Sequence, residues 1–421
     1  MMQNKLKKNL VMAWVVWGLA AAYYFSDYMA RVAPGVMHKS LQSAFGLSEA
    51  GFGVLTYSFY IPYILMQIPV GLLVDRWSVR RLLTIMSMLT ALGCVIFGFA
   101  DGLAMACVGR MIIGFSAAFA FISALRLATA WFPPAMLGLL AGLTQALGML
   151  GAAAGEAPIS FLVNHVGWRS SMFWVAGLFV LLAVFLYRYI QDHDSMLSVK
   201  HHQNQMSMGS SLWTVLRHPA LWLNALYAGC LFGPTAVIGE SYGPAFLQYG
   251  WGFTAHQAAS AIGFIFVGWG FGGPILGAWS DKLGHRKPLM IISALCTFIL
   301  TAIMIYVKIP NIWSVYLIFF LFGLTNSGVG LAYAVSTELA PPAVIGTAIA
   351  FTNMASIFVG ASLQPLVGHC IDKVAGNRSF DVALLTLSDF QTPLALLIVC
   401  SGAALVLSLL IKETHCRKLH V

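Results

Sequence analysis

Charge is what this sequence has least of. Only 9% of its 421 residues are Asp, Glu, Lys or Arg, against 59% apolar, and the mean hydropathy is +0.83. A soluble globular domain carries about 25% charged residues, so that class is excluded. The short alternating strands of a transmembrane barrel, about ten residues each, are also missing. Apolar residues come instead in runs of roughly 20, the length of a membrane-crossing helix. There is no ATP-binding loop, no nucleophile with a base, and no metal-ligand cluster, so neither ATP-driven work nor a membrane enzyme has support. The seven Cys, at 94, 107, 230, 296, 370, 400 and 416, lack metal or redox spacing and read as packed, reduced thiols. No cofactor and no metal is expected. The formal charge is +9, but the basic residues are scattered over short loops and form no face for nucleic acid.

What is present is an all-α integral membrane chain of twelve spans. They run at about 11–37, 51–73, 82–100, 103–125, 135–160 and 170–190, then 220–247, 255–277, 288–307, 313–337, 342–369 and 390–411. The first run is read as span 1 and not as a signal peptide, because it continues past Ala20-Ala21-Ala22 through Tyr23, Tyr24 and Phe25. The hydrophilic interval 191–219 divides the chain into 1–190, a linker, and 220–421. With the N-terminus inside, sixteen Lys and Arg fall on the cytoplasmic side, against Lys39, Arg169, Lys308, Lys373 and Arg378 outside. The positive-inside rule then makes both termini cytoplasmic. His201 and His202 sit in the linker and read as solvated; the stretch from Met206 to Leu216 has a short amphipathic pattern.

The two parts repeat each other. Gly71, Asp75, Arg76, Arg80 and Arg81 return as Gly277, Asp281, Lys282, Arg286 and Lys287, at an offset of 206 residues, each set in the loop between two spans. Pro133-Pro134, Gly138 and Gln145 match Pro341-Pro342, Gly346 and Asn353 at an offset of 208. Glu156 aligns with Gln364, and Leu47-Ser48 with Phe253-Thr254. Two parallel six-helix bundles related by an axis along the membrane normal are the plan of a rocking transporter with its ligand at the midplane.

Twelve spans, the six-plus-six division and the loop signature repeated between spans 2 and 3 and spans 8 and 9 resemble the major facilitator superfamily of secondary transporters. Ser78 departs from the usual Gly of the loop, which the second copy keeps as Gly284. The resemblance implies alternating access and a gating role for the loop residues; anchoring of topology in solvated turns is the alternative. Arg110-Met-Ile-Ile-Gly114 looks like the family's second signature, which links Arg110 to proton-coupled cycles, whereas a structural bond to backbone carbonyls is the plain reading. Span 5 is rich in glycine (Gly138, Gly142, Gly148, Gly151, Gly155), which close packing explains, but lacks the Gly-Pro pair of the drug antiporters. Ala30-Arg31-Val-Ala-Pro34-Gly-Val-Met37, the run from Ala124 to Pro133, and Gln364-Pro365-Leu-Val-Gly368 are similar to the phagosomal nutrient transporters of intracellular bacteria, the Pht group. That likeness implies uptake of amino acids, or in some members nucleosides, across the inner membrane.

The candidate site starts on span 1. Asp27 and Arg31 lie one helical turn apart and can neutralise one another, either as part of a site or merely to order the helix. The family resemblance makes Arg31 a carboxylate ligand, with Asp27 its partner or a proton carrier and Tyr24 beside them. On span 7, Gly233-Pro234 and Gly243-Pro244 are expected to break the helix around Glu240 and Tyr242. Glu240 suits an ammonium group or the coupled proton; a solvated carboxylate at the outer end is the alternative, and Glu156 shares the ambiguity. Gln145, Asn326, Asn353 and Gln364 complete the candidate substrate contacts, each also readable as interhelical glue. Proton-coupling candidates are Asp27, Arg110, Glu156 and Glu240. The expected function is proton-coupled uptake of an amino-acid-like metabolite by a monomer in the bacterial inner membrane, with lipid, substrate and a coupling ion as its partners. Export of drugs or siderophores and a non-transporting membrane sensor are the alternatives.

Overall fold

The computed structural model describes residues 2–133, 136–190, 208–341 and 344–417. Lys200, His201, His202, Pro134, Pro342 and Lys418 lie outside the described residues, as do the side chains of Asp75 and Arg76. The chain is all-helical, as expected, with no strand among the described residues. Nine helices there are long and apolar enough to cross a membrane. One of them, Leu137–Tyr189, turns at Gly167 (φ 80°) and so holds spans 5 and 6. Span 1 (Met2–Val36) and span 2 (Glu49–Ser58 with Tyr60–Arg76) complete the twelve.

The remaining spans are Val79–Gly98 (3), Leu103–Ala117 with Ala120–Trp131 (4), Pro219–Gly250 (7), Ala255–Leu283 (8), Lys287–Tyr306 (9), Ile312–Asn326 with Val329–Leu339 (10), Ile345–Ala375 (11) and Leu387–Leu410 (12). A short helix, His38–Phe45, follows span 1, and another, Met208–Leu216, precedes span 7.

The repeated motifs turn out to be helix punctuation. Ser48 caps span 2 by accepting from the Gly51 N–H, and Thr254 caps span 8 in a capping box with Gln257. Before each Pro pair the chain is extended, at Phe132 (φ −121°, ψ 152°) and Ala340 (φ −82°, ψ 141°), because the proline ring bars the α region to the residue ahead of it. Spans 4 and 10 therefore stop at equivalent places. At the loop signature the copies diverge. Gly284 takes the left-handed region (φ 67°) to end span 8, whereas Ser78 (φ −58°) starts span 3 by accepting from the Arg81 N–H, so a side chain is tolerated in the first copy only.

Glycine sets the closeness of packing. A Cβ at Gly151 would stand 2.0 Å from the Phe25 carbonyl oxygen, and one at Gly155 2.7 Å from that of Met29, so span 5 lies against the backbone of span 1. The first six and last six spans meet mainly through spans 1 and 7, 2 and 11, and 5 and 8. A two-fold axis exchanging the two sets carries 1 onto 7 and the 2/11 contact onto 8/5, which is the relation the sequence repeat implies.

Candidate functional site

Between the two sets lies a cavity of about 970 Å³, lined from Arg31 and Glu240 at one end to Asp281 and Arg286 at the other. The Asp281 side chain is 67% exposed, so this end reaches the face of the 8–9 loop. The opposite end is sealed. Gln42 donates to the Ser379 carbonyl (3.1 Å) and accepts from the Val382 N–H (2.8 Å), while Asp372 accepts from the Glu49 and Ala50 N–H groups at the start of span 2. An acidic side chain at a helix N-terminus is where the dipole favours it. Tyr242 donates to the carbonyls of Glu49 and Gln364 in the same seal.

Span 1 brings Arg31 to the cavity just ahead of Pro34. A proline at 34 has no N–H for the Ala30 carbonyl, so one turn of the helix is left unsatisfied. Arg110 on span 4 fills the gap: Nη1 donates to the Ala30 oxygen (3.1 Å) and Nη2 to the Arg31 oxygen (3.0 Å). The plain reading of Arg110 describes this geometry, and it fixes the peptide that carries Arg31.

The Arg31 guanidinium then crosses to the other set of spans. Nη2 lies 3.0 Å from a Glu240 carboxylate oxygen, with both side chains 3% exposed or less. Nε donates to the Tyr60 hydroxyl (3.2 Å), which in turn donates to the second Glu240 oxygen. The rings of Tyr60, Tyr28, Phe59 and Tyr63 stand 4.9–5.7 Å from the guanidinium carbon and supply cation–π attraction. Sequence spacing suggested Asp27 as the partner of Arg31. The structure corrects this: Glu240, 209 residues away in sequence, is nearer in space and holds the ion pair. Asp27 is buried outside the cavity lining, and its Oδ1 has no hydrogen-bond partner among the described residues.

Span 7 does not break as expected. It winds through π-helical turns over Thr235–Tyr242 and again over Phe246–Gly250, and the wider turn carries Glu240 inward. Glu240 is thus a buried partner and not a solvated end group. Glu156 is fully buried, and neither of its oxygens has a hydrogen-bond partner among the described residues.

The amides divide. Gln145 lines the cavity and accepts from the Tyr24 hydroxyl (3.2 Å); Asn353 lines it, accepts from Tyr333 (2.9 Å) and donates to Gln67 (2.8 Å). Asn326 and Gln364 are buried behind the wall instead. Asn326 accepts from Thr235 and Trp269 and donates to the Leu231 carbonyl, and Gln364 donates to the Ala236 carbonyl, so both brace span 7 as interhelical glue. Tyr242, in the seal, is likewise outside the lining. Tyr28, Tyr60, Tyr63, Gln67 and Tyr333 were missed by the sequence reading. The periodic Tyr60, Tyr63 and Gln67 on one face of span 2 were the available signal.

At the 8–9 loop, Arg286 pairs with Asp281 (2.6 Å) and Glu338 (2.9 Å). Burial alone would lower the affinity of Arg286 for its proton, but the two carboxylates raise it above the ordinary value. Glu413, beyond span 12, accepts from the backbone N–H groups of Arg286 and Lys287 and so caps span 9. Gly71 and Gly277 have open space beside them, and Arg81 and Lys282 are exposed. Arg80 lies 4.4 Å from the Tyr187 ring centre.

A family model described as Major Facilitator Superfamily matches residues 16–365. Among curated relatives, an uncharacterized transporter, YybO, of Bacillus subtilis is 29% identical over 46% of this chain; the alignment spans 45% of that protein, less than two thirds of its length. A probable sulfoacetate transporter, SauU, of Cupriavidus necator is 24% identical over 67% of this chain and 68% of its own. In structure, the chain is similar to a bacterial homolog of the human lysosomal transporter Spinster in an inward-facing, unoccupied conformation. The TM-score is 0.76 at 15% identity, covering 95% of this chain and 97% of that one, a likeness of fold alone.

Proposed function

The chain belongs to the major facilitator superfamily and is a secondary transporter of a small-molecule substrate, not an enzyme; from that premise we propose that it takes up an amino acid or a similar small metabolite, driven by protons, through alternating access. The observation that carries this reading is the buried Arg31–Glu240 pair at the closed end of the cavity, one charge from each set of six spans. A zwitterion exchanges partners with that pair: its carboxylate takes the guanidinium of Arg31, and its ammonium takes Glu240. Tyr60, bonded to both, follows either way. Because the two charges come from opposite sets, a bound zwitterion holds the sets together in the cargo's own geometry. That is how a ligand biases a rocking equilibrium, through differential contacts in the two states.

The coupling proton belongs on Glu156. Glu156 is buried with neither oxygen hydrogen-bonded among the described residues, so a carboxylate there has nothing to offset its lost hydration, and this makes it the acidic group best suited to carry a proton. Arg110 and Asp27 stand behind the site, Arg110 as the residue that positions Arg31. The sixteen-to-five excess of basic residues puts the 8–9 loop and both termini in the cytoplasm of a bacterial inner membrane, which makes this state open to the inside. The units rocking past each other are 1–190 and 220–421, and the transporter works as a monomer. The Pht-like wording around Arg31 supports an amino acid.

The test is uptake of labelled amino acids into proteoliposomes under an imposed pH gradient, after a thermal-shift screen of amino acids, nucleosides, organic acids and siderophores. Arg31→Ala should abolish stabilisation and uptake with the protein still folded. Glu156→Gln should keep exchange but lose accumulation driven by the pH gradient. Uptake by Arg31→Ala at the wild-type rate would remove the pair from the site.

A further inference from the structure

We infer that the cargo held by Arg31 and Glu240 has one anionic group and a large apolar or aromatic side chain, a statement that rests on the amino-acid reading above and narrows it. Three features of the cavity wall lead there.

Several of the wall's polar groups are already engaged within the protein. Gln145 accepts from Tyr24, Asn353 is bonded to both Tyr333 and Gln67, and the Thr235 hydroxyl donates to Asn326. The hydroxyls of Ser327 and Ser356 donate to the backbone oxygens of Leu324 and Asn353. A polyhydroxylated cargo would surrender its water and could use these groups only by breaking the bonds they already make.

Positive charge is equally scarce. Among the described lining residues Arg286 is the other cation, at the far end of the cavity and already tied to Asp281 and Glu338. The second anionic group of a dicarboxylate or phosphate ester would meet no free cation among the described lining residues, and a desolvated unpaired charge is strongly disfavoured.

What remains of the wall is apolar and broad: Phe121, Met149, Phe232, Phe266, Trp269 and Ile357. Phe232 is two helical turns from Glu240 on span 7, and the Phe266 ring lies against the same helix, 3.2 Å from where a Cβ on Gly239 would stand. Trp269 has its N–H bonded to Asn326 behind the wall. A zwitterion seated on the pair therefore has an apolar wall for its side chain, and burial of that side chain is where selectivity among amino acids comes from.

The test uses the purified full chain and titration calorimetry with L-phenylalanine, L-tryptophan, L-serine, L-aspartate, D-glucarate and glucose 6-phosphate. The expected result is binding of phenylalanine and tryptophan at least about tenfold tighter than serine, with no binding of aspartate, glucarate or the phosphate ester. Phe232→Ala should compress the phenylalanine-to-serine ratio, and Arg31→Gln should abolish both. Serine, aspartate, glucarate or the phosphate ester binding as tightly as phenylalanine overturns the inference; if Arg31→Gln abolishes that binding, the role of the pair survives. No binding of any of the three kinds of amino acid overturns both.

Discussion

Replacing Arg31 by Met leaves Glu240 in a site with 3% exposure or less, facing the Tyr60 hydroxyl with no paired counter-charge. Removing one member of a buried ion pair costs about 3–5 kcal/mol, because the survivor keeps its desolvation penalty and loses the attraction that offset it. Glu240→Met should cost a similar amount by the same argument, with the guanidinium stranded among the four aromatic rings. The double variant Arg31→Met/Glu240→Met removes both charges and fills the space with flexible apolar side chains, and exchanges of that kind are often neutral or stabilising by about 1–4 kcal/mol. The double variant should therefore be more stable than either single one, with a coupling energy of at least about 2 kcal/mol in the cycle. The assay is equilibrium unfolding of the four proteins in one mild detergent, with substrate binding measured beside it. All three variants should lose binding, so stability and function separate cleanly in the double variant. Additive losses, with coupling under about 0.5 kcal/mol, would refute the pairing and the partner exchange built on it.

Other consequences follow from local geometry. Arg110→Met removes both bonds to the span 1 backbone and orphans the Ala30 carbonyl, which Pro34 cannot satisfy; this should cost about 1–3 kcal/mol and weaken binding through Arg31, whereas binding at wild-type affinity would separate the two residues. A Cβ at Gly151 or Gly114 would stand 2.0 and 1.9 Å from backbone oxygens of Phe25 and Phe59, so Gly151→Ala and Gly114→Ala should sharply lower the yield of folded protein, while Gly142→Ala, with nothing within 4 Å, should not. Size-exclusion profiles in detergent will tell them apart. Burial pushes the Glu413 carboxyl up, but the N–H groups of Arg286, His415, Lys287 and Thr414 outweigh it and hold it below its ordinary value of 4.5. Its folded form binds protons less readily than its unfolded form, so its stabilisation is complete above 4.5 and is lost as pH falls through the lowered value. Glu413→Gln should lower the melting temperature near neutral pH and flatten its fall on acidification; an unchanged pH profile would show that the cap on span 9 contributes nothing.

Much of this molecule could be read without coordinates, because hydrocarbon leaves few choices. Runs of about 20 apolar residues must become helices to satisfy their own backbone, and a sequence repeat at a near-constant offset must become two similar sets of spans. Pro133 and Pro341, like Ser48 and Thr254, were visible as matches in the repeat, and their effects on helix ends reach only a few residues along the chain. Arg31 and Glu240 were recognisable one at a time, as charges too costly to leave facing lipid.

Their partnership was not recognisable. Helical spacing offered Asp27 to Arg31, and only the packing of span 1 against span 7 showed that Glu240 stands closer. Tyr60 joins them for the same reason, and Asn326 and Gln364 fall behind the wall while Gln145 and Asn353, which match each other in the repeat, line it. The sequence by itself determined the spans, the repeat and the short roster of intramembrane charges, all consequences of local chain chemistry and of the solvent. Tertiary structure alone decided which charges meet, which amides face the cavity and which end of it is closed, because those depend on the rotation and depth of helices that lie far apart in the chain and are fixed by close packing at residues such as Gly151 and Gly155.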